Sequence, residues 1–182
     1  MEKFDTSILK HIGDDVFIAP TVIIKRPHLV SVGNHVAIDH GVYITTQAEI
    51  GDYIHISPYI TVIGGEKSKL VVQDFVTIAA GSRIIAGSDS FLGHGFTSVT
   101  VPDKYRDKVT FSTIHINRFA GIGTNVVIMP GITIAEGSVV GANSLVTKDT
   151  EPWTIYFGNP AKPIKIRPKE KMLAYAKELG YH

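Results

Sequence analysis

From Ile12 onward an aliphatic residue returns at every sixth position. The hexads IGDDVF, IAPTVI and IKRPHL are followed, after a two-residue slip, by VGNHVA, IDHGVY, ITTQAE, IGDYIH, ISPYIT and VIGGEK. A second slip leads into VQDFVT, IAAGSR and IIAGSD, where the pattern stops for about two dozen residues; it then resumes with INRFAG, IGTNVV, IMPGIT, IAEGSV, VGANSL and VTKDTE. Every hexad opens with Ile or Val, the second position is often glycine, and the fifth is usually small or β-branched.

A spacing of six fits neither the 3.6-residue period of a helix nor the alternation of a half-buried strand. It predicts an all-β solenoid in which each hexad is one short flat strand plus a corner, with turns helped by Pro20, Pro58, Pro130, Gly81, Gly131 and Gly137. Three hexads close one coil, so residues 12–151 make about six coils, interrupted by a loop over 90–115. Residues before Ile12 are expected to form an irregular or helical cap. After residue 151 the period is lost, and 152–182 form an extension of the same single domain, 1–182. In that extension Pro168 can open a helix and Gly180 close one, with Met172, Tyr175, Ala176 and Leu179 on one face. This short amphipathic α-helix is expected to cover the solenoid or a neighbouring subunit.

Composition narrows the possibilities. The formal net charge of +1, with acidic and basic residues mixed along 182 positions, gives no electrostatic reason to expect nucleic acid or a membrane surface as partner. There is no cysteine, hence no disulfide framework, thiolate nucleophile or Cys-based metal site. The opening MEKFDTSILKHIGDD lacks a basic segment leading into an apolar run, and no apolar stretch is long enough to span a bilayer, so a cytoplasmic location is expected.

The repeat resembles that of the hexapeptide acyltransferases along nearly the whole chain. The resemblance implies a left-handed parallel β-helix, a homotrimer with grooves between neighbours, and acyl-CoA as cosubstrate rather than a permanently bound cofactor. VGANSLVTKD followed by FGNPAKPIK is similar to the part of that family that holds coenzyme A. On that basis Gly123, Thr124 and Ala142 are expected along the pantetheine slot, and Thr147, Lys148, Lys162 and Lys165 near the nucleotide phosphates. The chemistry is sensible in its own right: small residues let a thin arm lie against backbone amides, and lysines offset phosphate charge. The family often carries arginine where this chain has Lys162 and Lys165, which keeps the charge but gives up bidentate recognition.

The site wall is expected where the pattern stops. In galactoside and maltose acetyltransferases, a similar hexad leads into an irregular segment whose histidine removes a proton from the acceptor hydroxyl; the corresponding position here is Asp89. A hydroxyl needs a base working near neutrality, which histidine (about 6.5) supplies better than aspartate (about 3.9), whereas an amine needs to be bound and oriented. Asp89 therefore favours transfer to nitrogen. The stretches ISPYITVIGGEKSKLVVQDFVTIAAGSRIIAGSD, INRFAGIGTNVVIMPG and the carboxy-terminal segment resemble acyltransferases of nucleotide-linked amino sugars, of the type acting on dTDP-4-amino-4,6-dideoxyglucose. His94, in the same irregular segment, is the second catalytic candidate; Ser88 and His55 are candidates for touching the acceptor. An oxyanion-binding amide is expected near Gly121 to Gly123.

Three other readings remain open. One is an O-acetyltransferase of the galactoside or maltose type with His94 as base. Another is a zinc carbonic anhydrase, because HVAIDH, His35 to His40, has a spacing reminiscent of paired ligands in that enzyme of the same fold, although no third histidine stands at a comparable distance upstream and no metal is expected. The last is a non-catalytic scaffold.

Overall fold

The computed structural model describes residues 3–181. Each hexad lays one strand of two to four residues on one of three parallel sheets, so the chain winds as a triangular prism. Sheet I stacks His11–Ile12, Val30–Val32, Gln47–Ile50, Lys69–Val72, Thr113–Ile116 and Thr133–Ile134. Sheet II runs from Phe17–Ile18 through Ala37–Ile38, His55–Ile56, Thr77–Ile78, Gly121–Ile122 and Val139–Val140 to Thr154–Phe157. Sheet III runs from Ile23–Ile24 to Leu145–Val146. In-register pairing puts the opening aliphatics of successive coils above one another, as in Ile38↔Ile56, Ile56↔Ile78 and Ile78↔Ile122.

These positions form one axial core. Ile38, Ile44, Ile78, Ile84, Ile116, Ile128 and Ile134 are each 0% exposed, and the fifth positions Val42, Ile60, Val76, Ser82, Val126 and Ser138 are equally buried. Burying one such isoleucine is worth about 1.5–3 kcal/mol, so regular repetition is itself the source of stability. The buried serines answer the hydrogen-bonding requirement locally: Ser82 Oγ donates to the carbonyls of Ala79 and Gly123, and Ser138 Oγ to that of Thr154.

The fourth hexad position makes the corner. Between sheets I and II it carries a left-handed backbone at His35, Tyr53, Phe75, Phe119 and Trp153, and their rings stack into a column, with centroids 4.5 Å apart for His35–Tyr53, 5.1 Å for Tyr53–Phe75 and 5.3 Å for Phe75–Phe119. Beside it the amides of Asp14, Asn34 and Asp52 donate to the side-chain oxygens of Asn34, Asp52 and Asp74, at 2.9, 2.7 and 2.9 Å.

Both ends are capped. Thr6–Ile8 forms a 3-10 turn, and Phe4 and Leu9 pack against the first coil. At the other end the repeat persists further than the sequence pattern predicts. Thr154–Phe157 pairs with Val139–Val140 as the start of a seventh coil, and Lys162–Ile166 then turns back antiparallel along it. Thr154 and Tyr156 are buried although neither falls on the Ile/Val pattern. The expected helix is Glu170–Glu178, and it lies over the aromatic column, where Met172, Tyr175, Ala176 and Leu179 share a cavity with Phe75 and Phe119.

Tyr181 locks this helix down, its hydroxyl donating to Asp52 Oδ2 at 2.6 Å. That bond pushes the phenol up to about 12. Burial alone would raise the Asp52 carboxyl, but the Tyr181 hydroxyl and the Asn34 amide and side chain outweigh it and hold the group below its usual range. A raised tyrosine contributes stability in full below its ordinary value near 10 and loses it as pH climbs toward 12; the depressed Asp52 contributes above about 3.9 and fails in acid. Trp153 tilts against Phe119 in the same column and is the chain's one tryptophan. Its fluorescence is expected to report release of the tail between about pH 10 and pH 12, a transition that Tyr181→Phe should remove.

Candidate active site

All insertions into the repeat leave by the corner between sheets III and I. Residues 25–29 and 64–68 make short detours there, and the long one departs after Arg83–Ile85 in the fourth coil. Gly87–Asp89 pairs antiparallel with Val109–Phe111, so a β-hairpin stem carries the loop outward. The solenoid resumes at Thr113, earlier than expected: Thr113–Ile116 lies on sheet I with Ile114 buried opposite Leu70, and His115 is an outward residue of that strand rather than the end of a loop. The stem rests on the preceding coil, with the Ser68 and Ser112 hydroxyls both donating to the Ala86 carbonyl at 3.0 and 2.7 Å, and Lys67 Nζ over the Phe111 ring.

Asp89 ends the first strand of this stem opposite Val109, half-buried; no hydrogen bond to its carboxylate is found among the described residues. Ser88 is not packed inward as a fifth-position residue should be. The hairpin has already left the prism, so Ser88 is half-buried and its hydroxyl donates to the Asp89 carbonyl at 3.1 Å. His94 is an exposed residue of the loop.

The coenzyme A candidates lie elsewhere. Gly123 and Thr124 turn the corner between sheets II and III in the fifth coil, and Ala142 turns it in the sixth, directly against Gly123. Asn143 N–H donates to the Thr124 carbonyl at 2.8 Å, which fixes the spacing of the two turns. The amides of Gly121 and Gly123, expected to include an oxyanion donor, are committed to the Ser138 and Val140 carbonyls at 3.0 and 2.8 Å. Parallel pairing consumes them. The Thr124 and Ala142 amides, by contrast, have no hydrogen bond among the described residues and remain free to donate. Thr147, Lys148 and Lys162 line one cavity of about 330 Å³ at the end of the solenoid, together with Tyr156 and Pro160. Lys165 is not among its lining residues and pairs with Ile155 along the returning strand.

The histidine pair does not converge. His35 sits on the corner between sheets I and II with Nδ1 2.9 Å from Asp15 Oδ2, while His40 sits on the corner between sheets II and III, 3.0 Å from Thr21 Oγ1. A whole sheet separates them, so one chain cannot bring both onto one ion. His55 occupies the outer face of sheet II, 49% exposed, with Nε2 2.8 Å from Asp39 Oδ2.

Sequence reasoning passed over Asp39, Thr77 and Asp52. Asp39 and Thr77 occupy solvent-facing hexad positions, and only the stacking of coils reveals that Thr77 pairs with His55 and that the Asp39 carboxylate reaches its ring. The aromatic column had a legible signal in the recurrence of a ring at the fourth hexad position.

No family profile matches the chain. A curated protein of Escherichia coli, dTDP-4-amino-4,6-dideoxy-D-glucose acyltransferase, is 30% identical over 164 residues, covering 88% of this chain and 84% of its own length. The crystal structure of a variant of AntD, an N-acyltransferase from Bacillus cereus, in complex with dTDP-4-amino-4,6-dideoxyglucose and coenzyme A is similar with a TM-score of 0.90 at 30% identity, covering 99% of each chain. A hexapeptide-repeat acetyltransferase from Vibrio cholerae, at 23% identity and a TM-score of 0.58, covering 89% of this chain and 76% of its own, shares the fold.

Proposed function

Because the chain belongs to the family of the dTDP-4-amino-4,6-dideoxyglucose acyltransferases, we propose that it transfers an acyl group from acyl-CoA to the amine of a nucleotide-linked amino-deoxy sugar. The likeness to AntD over essentially the whole chain carries this reading, since AntD was solved with such a sugar and coenzyme A together. An aspartate at the base of the hairpin, where hydroxyl-acylating relatives are expected to carry histidine, supports nitrogen as the acceptor atom.

The free amides of Thr124 and Ala142 suit the pantetheine arm and its thioester carbonyl, and Thr147, Lys148 and Lys162 suit the nucleotide phosphates beyond it. Asp89 anchors the amine. The amine attacks the thioester directly, and the thiolate leaves; with no cysteine in the chain, an acyl-enzyme lacks its best nucleophile. On a single chain Asp89 and the Thr124 corner lie on different edges of the prism. A homotrimer of parallel solenoids would set one chain's hairpin beside the next chain's corner, which is why we favour that assembly. A cytoplasmic location suits acyl-CoA and nucleotide sugars; among the described residues no helix is long and apolar enough to cross a membrane.

The test is thiol release from acetyl-CoA, read with a thiol-reactive chromophore and free of protein background because cysteine is absent. Release with dTDP-linked amino sugars and none with galactosides or maltose is the expected result. Release with plain sugars alone would return the chain to O-acetylation with His94 as base.

A further inference from the structure

An amino sugar reaches the site as an ammonium ion at neutral pH, and it must shed a proton before its nitrogen can attack a carbonyl. The outer face of sheet II offers a group built for that task. Its outward column reads Phe17, Ala37, His55, Thr77, Gly121 and Val139 over six successive coils. His55 is held at Nε2 by Asp39 Oδ2, 2.8 Å away, and among the described residues Nδ1 has no partner. A carboxylate can only accept, so Nε2 is the donor to Asp39, and in the neutral ring Nδ1 keeps its lone pair. The same carboxylate stabilises the ring once it becomes imidazolium.

Below His55 the column stays low. Gly121 has no structural need to be glycine: its φ is not positive, and a Cβ there would meet nothing nearer than Val139 Cγ2 at 3.5 Å. Its bareness leaves open the strip between Thr77 and the Thr124 corner. Strands in a sheet are about 4.8 Å apart, so His55 and Gly121, two steps removed, stand roughly 10 Å apart. A pyranose ring laid over Thr77 and Gly121 would span that gap and bring its amine between Nδ1 and a thioester held at Thr124. His35, which lines with His55 a separate concavity running from Phe17 to Thr77, is stacked on Tyr53 at the corner and turned to Asp15, so it does not face the strip.

We propose that His55, oriented by Asp39, is the proton acceptor for the ammonium group of the sugar, an assignment that rests on the N-acyl-transfer reading. His55 Nδ1 takes one proton from R–NH3⁺; the freed amine forms the C–N bond as the C–S bond breaks; the second nitrogen proton goes to the departing thiolate; and His55 returns its proton to water. Asp89 anchors the nitrogen and His55 deprotonates it. The charged and titratable groups around the imidazole are Asp39, Asp15, His35 and Tyr53, while its neighbours along the column, Ala37 and Thr77, carry no charge.

His55→Gln and Asp39→Asn are compared with the unaltered protein by thiol release across pH, alongside coenzyme A binding by calorimetry. His55→Gln is expected to lower kcat about 100-fold, with acceptor KM within about threefold, coenzyme A affinity unchanged and the acid limb of kcat/KM flattened. Asp39→Asn should fall between the two. Unaltered kcat and pH profile in His55→Gln, or an effect on KM alone, would overturn the inference and leave the function standing. Silence of the unaltered protein with every amino sugar, despite intact coenzyme A binding, would overturn the function and the inference together.

Discussion

Asp89→Asn is expected to lower kcat/KM for the amino sugar about 100-fold and to leave coenzyme A affinity where it was. A carboxylate on an ammonium is a charge-assisted hydrogen bond, and these contribute about 1.5–3 kcal/mol, or roughly 10- to 150-fold at 1.4 kcal/mol per decade. Asparagine keeps the shape and one acceptor oxygen but not the charge. The fold should not notice, because Asp89 holds its place through backbone pairing with Val109, and no hydrogen bond to its carboxylate is found among the described residues. Loss of rate with an unchanged melting temperature therefore separates chemistry from stability. The coenzyme A candidates stand on another edge of the prism, so their affinity is a control within the same experiment. Kinetics identical to the unaltered protein would remove Asp89 from the site.

The solenoid was legible because its core is periodic. An isoleucine that must meet isoleucines above and below cannot drift out of phase, so one property, burial at the hexad's first position, fixes strand, corner and coil together. The edges were less legible for the same reason. Thr154–Phe157 buries a threonine and a tyrosine, not an Ile/Val pair, yet pairs with Val139–Val140 because an open sheet edge accepts any strand whose backbone can donate and accept. The loop boundary was misplaced at both ends, since Gly87–Asp89 continues the hexad phase in sequence while its backbone has already turned to Val109–Phe111. Candidate residues could be named singly but not grouped. Sequence order sets Asp89 before Thr124 without revealing that one leaves the corner between sheets III and I and the other turns that between II and III. Nor can the sequence tell a committed amide from a free one: Gly121 and Gly123 look like ideal oxyanion donors until parallel pairing assigns both to the next coil.

Two glycines separated by one residue should respond oppositely to the same substitution. At Gly123 a Cβ would stand 2.6 Å from Ala142 N and 2.9 Å from the Gly141 carbonyl carbon and the Val140 carbonyl oxygen, all backbone atoms that no rotamer change can move. Gly123→Ala must therefore pry the fifth and sixth coils apart, stretching the 2.8 Å bond from Gly123 N–H to Val140 and displacing the corner that presents the Thr124 and Ala142 amides. Overpacking of this kind costs about 1–3 kcal/mol, and a chain of this size loses about 2–4 °C in Tm per kcal/mol. A fall of roughly 3–10 °C is expected, accompanied by a coenzyme A Kd raised about tenfold or more, because the two amides no longer point together. Gly121→Ala meets only a methyl of Val139 at 3.5 Å and points away from the core, so Tm should hold or rise slightly as the unfolded chain loses freedom. Its methyl instead enters the strip between His55 and the thioester, so acceptor KM should rise while coenzyme A affinity persists. Thermal melts and coenzyme A titrations of the two variants decide the matter: equal losses in both would mean that the outer face of sheet II is as tightly filled as the prism's interior, and that no sugar lies there.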